Sequence, residues 1–486
     1  MTSEAPKQHL NPFSLFYYAY KGILNWGIFA LIALPSQRTN FWVVIGTLLS
    51  LVIIVGLLKF FFFTFQIGGD MITINSGIFV KRHTHIPYGR IQTIQRSQWF
   101  FLKPLHLEQL KIETAGHESH RPEVTLPVVS ESVREEIERK RLAVKGNSTT
   151  PDLTTDQSAK PTVDSSTPLA ATHHYEINPH DLNVFALTSF GILPLMGILA
   201  ALYGKIQEYI PQRLVNTVTK EIISQSILII SGIVLLIVII AVVGSYLSLV
   251  QKYYKFTLTS ESNQLKTYQG LFQRKSVTIP INRIQALRIK QNVLRQWAKI
   301  STVQALAASS AGDDDKGNDM MILPVIKTHD VFNQLKPFVS WAPDQFISLE
   351  RLPRQNYFYF IRNAILWTLI PIAGCIYFFR LWGAFSLLLL IISFFLGWYS
   401  SSNTGWQLHG DQLIMQSGWL FTRTEFIIPK KNVQSFSLNQ SIWMSHKKLA
   451  HLRVNVRHGN HNEQVEIRYV PFKDAEKIFN WLRIRN

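Results

Sequence analysis

Residues 271–285 read LFQRKSVTIPINRIQ, and the phrase recurs as IFVKRHTHIPYGRIQ at 78–92 and WLFTRTEFIIPKKNVQ at 419–434. Each copy follows a glycine (Gly77, Gly270, Gly418) and contains a proline (Pro87, Pro280, Pro429). Ile or Val and then Gln stand four and five residues beyond that proline, and a second Gln follows six residues later, at Gln98, Gln291 and Gln440. Upstream, each copy opens on an aromatic residue (Phe65, Phe256, Trp406) and runs through alternating apolar and polar residues, the period of a half-buried strand. Downstream come a β-rich stretch, a turn with Gly116, Gly312 or Gly459, and a proline at Pro127, Pro324 or Pro471. Each copy closes on apolar residues three and four apart, in Val133–Leu142, Val331–Phe338 and Ala475–Leu482, the spacing of one amphipathic helix. One unit is therefore written three times: short antiparallel strands, then a helix, a small α+β domain.

Between the units lie apolar blocks. Val184–Tyr203 and Ile222–Val250 carry no charged residue, and Phe41–Phe65 is interrupted only by Lys59. Phe13–Leu34 is broken only by Lys21, and Asn363–Phe379 is divided from Leu381–Tyr399 by Arg380 alone. About 20 apolar residues cross a ~30 Å hydrocarbon core. The expectation is six transmembrane helices in three hairpins. The first is a permanent span and not a cleaved signal, because no small-residue cleavage pattern separates it from the second. The loops inside the hairpins hold five of the 49 Lys and Arg and two of the 31 Asp and Glu. The remaining 44 basic and 29 acidic residues leave +15 of the +18 net charge with the larger polar regions. The positive-inside rule places those regions and both termini in the cytoplasm.

The boundaries expected from this pattern are a first hairpin at 1–64 and a first domain at 65–142. A disordered linker at 143–180 follows, poor in apolar residues and rich in Ser, Thr, Pro and Asp. Then come a hairpin at 181–250, a domain at 251–341, a hairpin at 342–401 and a domain at 402–486.

Chemistry is sparse. A lone cysteine, Cys375, excludes a disulfide scaffold and sits in an apolar span that disfavours a thiolate. HExxH, GxSxG, GxxxxGK[ST] and GxGxxG are all missing, so no catalytic residue is assigned and the chain reads as no enzyme. His117, His120, His458 and His461 fall in corresponding turns without a cysteine partner and read as surface residues. Asp313–Asp319 lacks the register of a calcium loop and reads as a solvated acidic turn. Neither metal nor cofactor is expected. Nucleic acid is disfavoured because the basic charge is spread over three tethered domains. The candidate lipid- or anion-binding residues are Lys81, Arg82 and Arg90 in the first unit, and Arg274, Lys275 and Arg283 in the second. Arg423, Lys430 and Lys431 are their third-unit counterparts. Guanidinium forks suit phosphate, and basic side chains are drawn to an anionic leaflet.

The repeated Ile86-Pro87…Arg90-Ile91-Gln92, Ile279-Pro280…Arg283-Ile284-Gln285 and Ile428-Pro429…Val433-Gln434 resemble the bacterial pleckstrin-homology-like (bPH2) membrane proteins of the YdbS/YdbT type, closest to the longer, YdbT-like form. The third copy departs, with Asn432 in place of the arginine and one extra residue before the proline. The resemblance implies that each domain is a bent antiparallel β-sheet capped by a C-terminal helix. It also implies a bacterial cytoplasmic membrane location and a smaller, YdbS-like membrane companion. The functional expectation is a membrane scaffold in envelope maintenance or stress tolerance, its domains binding lipid head groups or the companion. A subunit of a transporter or lipid-transfer system is the alternative. The topology predicts that a reporter active only outside the membrane works when fused near Gln37 and fails after Asn486. The opposite pattern of activity contradicts it.

Overall fold

The computed structural model describes residues 6–33, 41–114, 124–146, 173–189, 227–261, 263–308, 319–459 and 461–484. The first unit runs β1 (Gln8–His9), β2 (Thr64–Ile67), β3 (Met71–Ser76), β4 (Arg82–Pro87), β5 (Ile91–Trp99), β6 (Leu107–Thr114) and β7 (Val124–Ser130), then a helix at Glu131–Gly146. The second runs β8 (His173–Glu176), β9 (Thr257–Glu261), β10 (Gln264–Gln269), β11 (Gln273–Pro280), β12 (Ile284–Asn292), β13 (Ile300–Ala307) and β14 (Asp319–Lys327), then a helix at Val331–Leu335. The third runs β15 (Glu350–Arg351), β16 (Gly405–His409), β17 (Gln412–Trp419), β18 (Thr422–Pro429), β19 (Val433–Asn439), β20 (Leu449–His458) and β21 (His461–Pro471), then a helix at Phe472–Arg483.

The repeated Pro-x-x-x-(Ile/Val)-Gln phrase is a corner. Pro87, Pro280 and Pro429 end a strand with nearly identical torsions, φ near −62° and ψ near 136°. The next three residues make a single 3₁₀ turn, and Ile91, Ile284 or Val433 closes it with a backbone N–H to Tyr88, Ile281 or Lys430. Proline suits that place because its φ is fixed and the ladder ends there. The chain thereby leaves one half-sheet and enters another. The second Gln of each repeat secures the new half-sheet: the Nε2 groups of Gln98, Gln291 and Gln440 donate to the carbonyls of Leu107, Ile300 and Leu449 at 3.2, 2.9 and 2.8 Å.

The half-sheets do not stay within their own units. Among the described residues four antiparallel sheets form, in the orders β1-β2-β3-β4, β7-β6-β5-β11-β10-β9-β8, β14-β13-β12-β18-β17-β16-β15 and β19-β20-β21. The back half of unit one thus continues into the front half of unit two through β5 and β11, and unit two into unit three through β12 and β18. The cores follow the sheets. Ile414 and Ile427 of unit three are buried in the core of unit two, and Ala286 and Leu306 of unit two in that of unit three.

The structure revises several boundaries. β8 and β15 precede the hairpins yet pair with β9 and β16, so each unit begins before its membrane segment. The stretch expected as linker is ordered at both ends, in the helix to Gly146 and in β8, with 147–172 outside the described residues. Val184–Leu187, expected to begin the third span, belongs instead to a short helix at Pro179–Leu187, whose Phe185 is buried 4.4 Å under the Arg295 guanidinium. From residue 190 that span lies outside the described residues. Arg380 does not turn the third hairpin alone. It takes φ 49° and opens an eight-residue 3₁₀ stretch to Leu387, in which Gly383 lies so close to Cys375 that a Cβ would stand 2.4 Å from its carbonyl oxygen.

Among the described residues two helices are long and apolar enough to cross a membrane, Arg354–Phe378 and Gly383–Ser402, with shorter apolar segments at Leu49–Phe61 and Val238–Tyr253. Helices at Ser14–Ala33, Phe41–Phe61 and Ile227–Tyr253 occupy the places expected for the first, second and fourth spans, but the described residues meet the criterion for two spans and not for six.

Gln291 is buried and Gln440 exposed, so the same side chain has different worth in the two repeats. Gln291→Ala should destabilise by about 1–3 kcal/mol, because the Ile300 carbonyl loses a buried donor. Gln440→Ala should cost about 0.5–1 kcal/mol, since water replaces the amide. Thermal unfolding of the purified variants checks the order.

Candidate functional site

The basic residues singled out by the repeat divide into two groups along one strand of each unit. Lys81 and Arg82 stand at the start of β4 and Arg90 beyond its end; Arg274 and Lys275 begin β11 and Arg283 follows it. A six- to eight-residue strand is ~20–26 Å long, so no single phosphate bridges the two groups of a unit. Lys81, Arg82, Arg90, Arg274 and Lys431 are exposed. Lys430 lies 4.9 Å from the Trp481 ring, and Asn432, the departure from the repeated arginine, donates to the Gln285 carbonyl of unit two at 2.9 Å.

Arg423 turns inward. It donates to Gln291 Oε1 across the β12–β18 joint, and burial draws its pKa down while Glu425 opposes that shift. Burial also pushes the Glu425 carboxyl up to about 7, against Arg423 and Arg351. Arg423 is thus a joint residue, in contrast to its exposed counterpart Arg274.

The first group of each unit has apolar company that charge alone did not reveal. Phe79 and Val80 precede Lys81 and Arg82, Leu271 and Phe272 precede Arg274 and Lys275, and Trp419 and Leu420 precede Arg423; all six apolar side chains are exposed. These hairpin tips sit at the ends of the apolar helices. Gly270 and Leu271 donate backbone N–H groups to the carbonyls of Tyr254 and Gln251, and Ser400 Oγ donates to the Gly418 carbonyl. The glycine is required at two of the tips: Gly77 and Gly270 have φ 109° and 106°, and a Cβ would stand 1.9 and 2.0 Å from the Val80 and Gln273 carbonyl oxygens. In the third tip the extra residue shifts the positive φ onto Leu420 and Phe421. Exposed aromatics beside cations, at the mouth of an apolar helix, match the chemistry of a headgroup layer. The signal was present in the sequence as Gly followed by apolar residues and then Lys or Arg.

A second polar centre lies at the joint of units two and three. Arg288 bonds Asp319 and, at 3.1 Å, Glu463; His458 lies 3.0 Å from Asp319 and 3.6 Å from Glu463. His458, expected as a surface turn residue, is 3% exposed, because β20 passes beneath the joint. Its neighbour Gly459 donates to the Ala307 carbonyl of unit two. Asp319, expected in a solvated acidic turn, is a partner in this network, while Asp313 to Asn318, His117 and His120 lie outside the described residues. His458, His461 and Glu463 bring three ligand atoms within 4.8 Å, but Arg288 already supplies positive charge to both carboxylates. The neighbouring His458, with Arg288 adding its charge, holds Glu463 below the usual carboxylate range. In the first unit Arg96 and Arg134 clamp the fully buried Glu108, whose pKa burial raises and the two arginines pull back. The first of these centres joins two units and the second ties one unit's sheet to its helix, and both have the composition of structural ion pairs.

Triplicated half-sheets, corner prolines and helix-capped units define a chain of linked PH-like domains. The model of the Bacterial PH domain family matches residues 25–143, 197–338 and 363–485, so the chain belongs to that family. It is also similar to the UPF0699 transmembrane protein YdbT of Bacillus subtilis (strain 168), with 26% identity covering 99% of this chain and 98% of the relative. No solved structure matches. The apolar helices and a relative named as a transmembrane protein support membrane association.

A raised carboxyl pKa has a definite sign in stability. Folding holds the Glu425 proton more tightly than the unfolded chain does, so its contribution is complete below about pH 4.5 and is lost as pH rises through about 7. Glu425→Gln should remove this slope, a difference of at most about 3 kcal/mol between the ends of the window. Unfolding midpoints of the two proteins at pH 5 and pH 8 measure it.

Proposed function

We propose that this chain is a non-enzymatic integral membrane scaffold. Its PH-like units face the cytoplasm and use their hairpin tips to hold the anionic headgroup layer. Six spans in three pairs, with both termini inside, fit the apolar blocks and the charge distribution. The observation that carries the reading is the repeated coincidence of exposed aromatics and cations at the ends of apolar helices, as in Phe79–Val80 before Lys81–Arg82 and Leu271–Phe272 before Arg274. Each cation near an anionic surface contributes about 1 kcal/mol, and the cations of the first two tips act together on one chain. A smaller YdbS-like membrane protein is the proposed companion, and envelope maintenance or stress tolerance the setting. The residues proposed to meet headgroups are Lys81, Arg82, Arg274 and Lys275. Arg90, Arg283, Lys430 and Lys431 form the group at the opposite strand ends.

The test uses the whole chain in nanodiscs of mixed anionic and neutral lipid. Replacing Lys81, Arg82 and Arg274 together by Gln should lower enrichment of anionic lipid around the protein about fivefold per charge, from ~1 kcal/mol each, and high salt should lower it in the parent. Unchanged enrichment in the variant, with the fold intact by circular dichroism, contradicts the proposal.

A further inference from the structure

The structure builds the same joint twice. At the first, β5 pairs antiparallel with β11, setting Gln98 opposite Arg274, and the Phe100 N–H donates to the Phe272 carbonyl at 2.7 Å. At the second, β12 pairs with β18, setting Gln291 opposite Arg423, and the Val293 N–H donates to the Phe421 carbonyl at 2.9 Å. In both, the residue two beyond the repeated glutamine reaches the tip of the following unit, and the glutamine is buried, 5% exposed at Gln98 and 4% at Gln291.

The array ends on the two halves of this joint left apart. Among the described residues β4 is the last strand of its sheet and β19 the first of its own, each with one neighbour. Gln440, the third copy of the glutamine, is exposed; Ile442, two beyond it, is 77% exposed, and Phe79 at the first tip is 97% exposed. β19 reads VQSFSLN, without a charge or a proline. Free sheet edges are ordinarily blunted by charge, proline or a bulge that turns the strand away. β12, the covered strand in the same place, shares the register shift that β19 has near its start but also carries Arg288 and Lys290, so the edge barest of charge is the one without a partner.

We propose that β19 of one copy pairs with β4 of a second copy, so that chains join head to tail and continue the array across molecules. The second copy is the occupant because β4 is this chain's own version of β11 and β18, the strands that fill the place in both built joints. Carrying their register over sets Gln440 opposite Lys81 and brings the Ile442 N–H to the Phe79 carbonyl. β19 presents no charge to oppose Arg82. The interface is heterologous, so repetition gives either a closed ring or an open row in the plane of the membrane.

In that register Thr84 faces Ser437 as a non-hydrogen-bonded pair, the arrangement that brings cross-strand Cβ atoms to about 4.5–5.5 Å. The test places single cysteines in the Cys375→Ser chain. One tagged chain carries Thr84→Cys, and a differently tagged chain carries Ser437→Cys. Both are co-expressed and oxidised in isolated membranes. The expected result is a disulfide-linked pair containing both tags, at least tenfold above a control joining Ser437→Cys with Glu135→Cys, which lies on the exposed face of the first unit's helix. Three results overturn the proposal: mixed pairs no more abundant than the control, Ser437→Cys joined chiefly to itself, or Ser437→Cys joined to a different protein.

Discussion

Backbone hydrogen bonding between neighbouring units is the constraint on which the rest of the molecule depends. A half-sheet of three or four strands has an unsatisfied row of N–H and C=O groups at its open edge, and burying such a row without partners is costly. The corner prolines turn each unit's second half-sheet away from its first, and in units one and two the edge so created is paired by the next unit. Cores, ion pairs and tips then fall into place around β5–β11 and β12–β18. Arg288 lies between carboxylates of two units because β12 meets β18, and Arg423 is half-buried for the same reason.

Sharing sheets has a mechanical consequence. Three separate domains on membrane hairpins would move independently, each with its own headgroup contacts. Units joined by continuous antiparallel ladders of five or six register pairs move as one body. The tips are then held at fixed spacing, and the headgroup contacts proposed for them would add through effective concentration without the loss that flexible tethers bring. A rigid, multiply anchored array suits a scaffold better than a carrier, whose cargo path needs elements that change places.

Much of this was legible in the sequence, and what was not has a physical cause. The triplication, the helix at the end of each unit and the apolar blocks follow from local period and spacing. The phrase around Pro87, Pro280 and Pro429 was visible as a repeat, but its role as a corner depends on where the next strand goes. Strand exchange between units leaves no local trace, because β5 would alternate in the same way beside β4 as beside β11. His458 is hidden for that reason: a histidine one residue before a turn glycine looks exposed until a second unit is laid across it. Charge alone marks the basic residues in the sequence. Position along the strand separates Arg90 from Arg82, and pairing across the joint takes Arg423 partly out of solvent. The uncharged β19 was in plain view, and it gains meaning only beside the covered β12.

Amide hydrogen exchange of the full-length protein, followed by peptide through β5, β11, β12 and β18, tests the shared sheets most directly. Continuous ladders predict that these four strands exchange as slowly as the interior strands β6 and β17. Exchange as fast as at a free strand edge would contradict them and return the molecule to three separate domains.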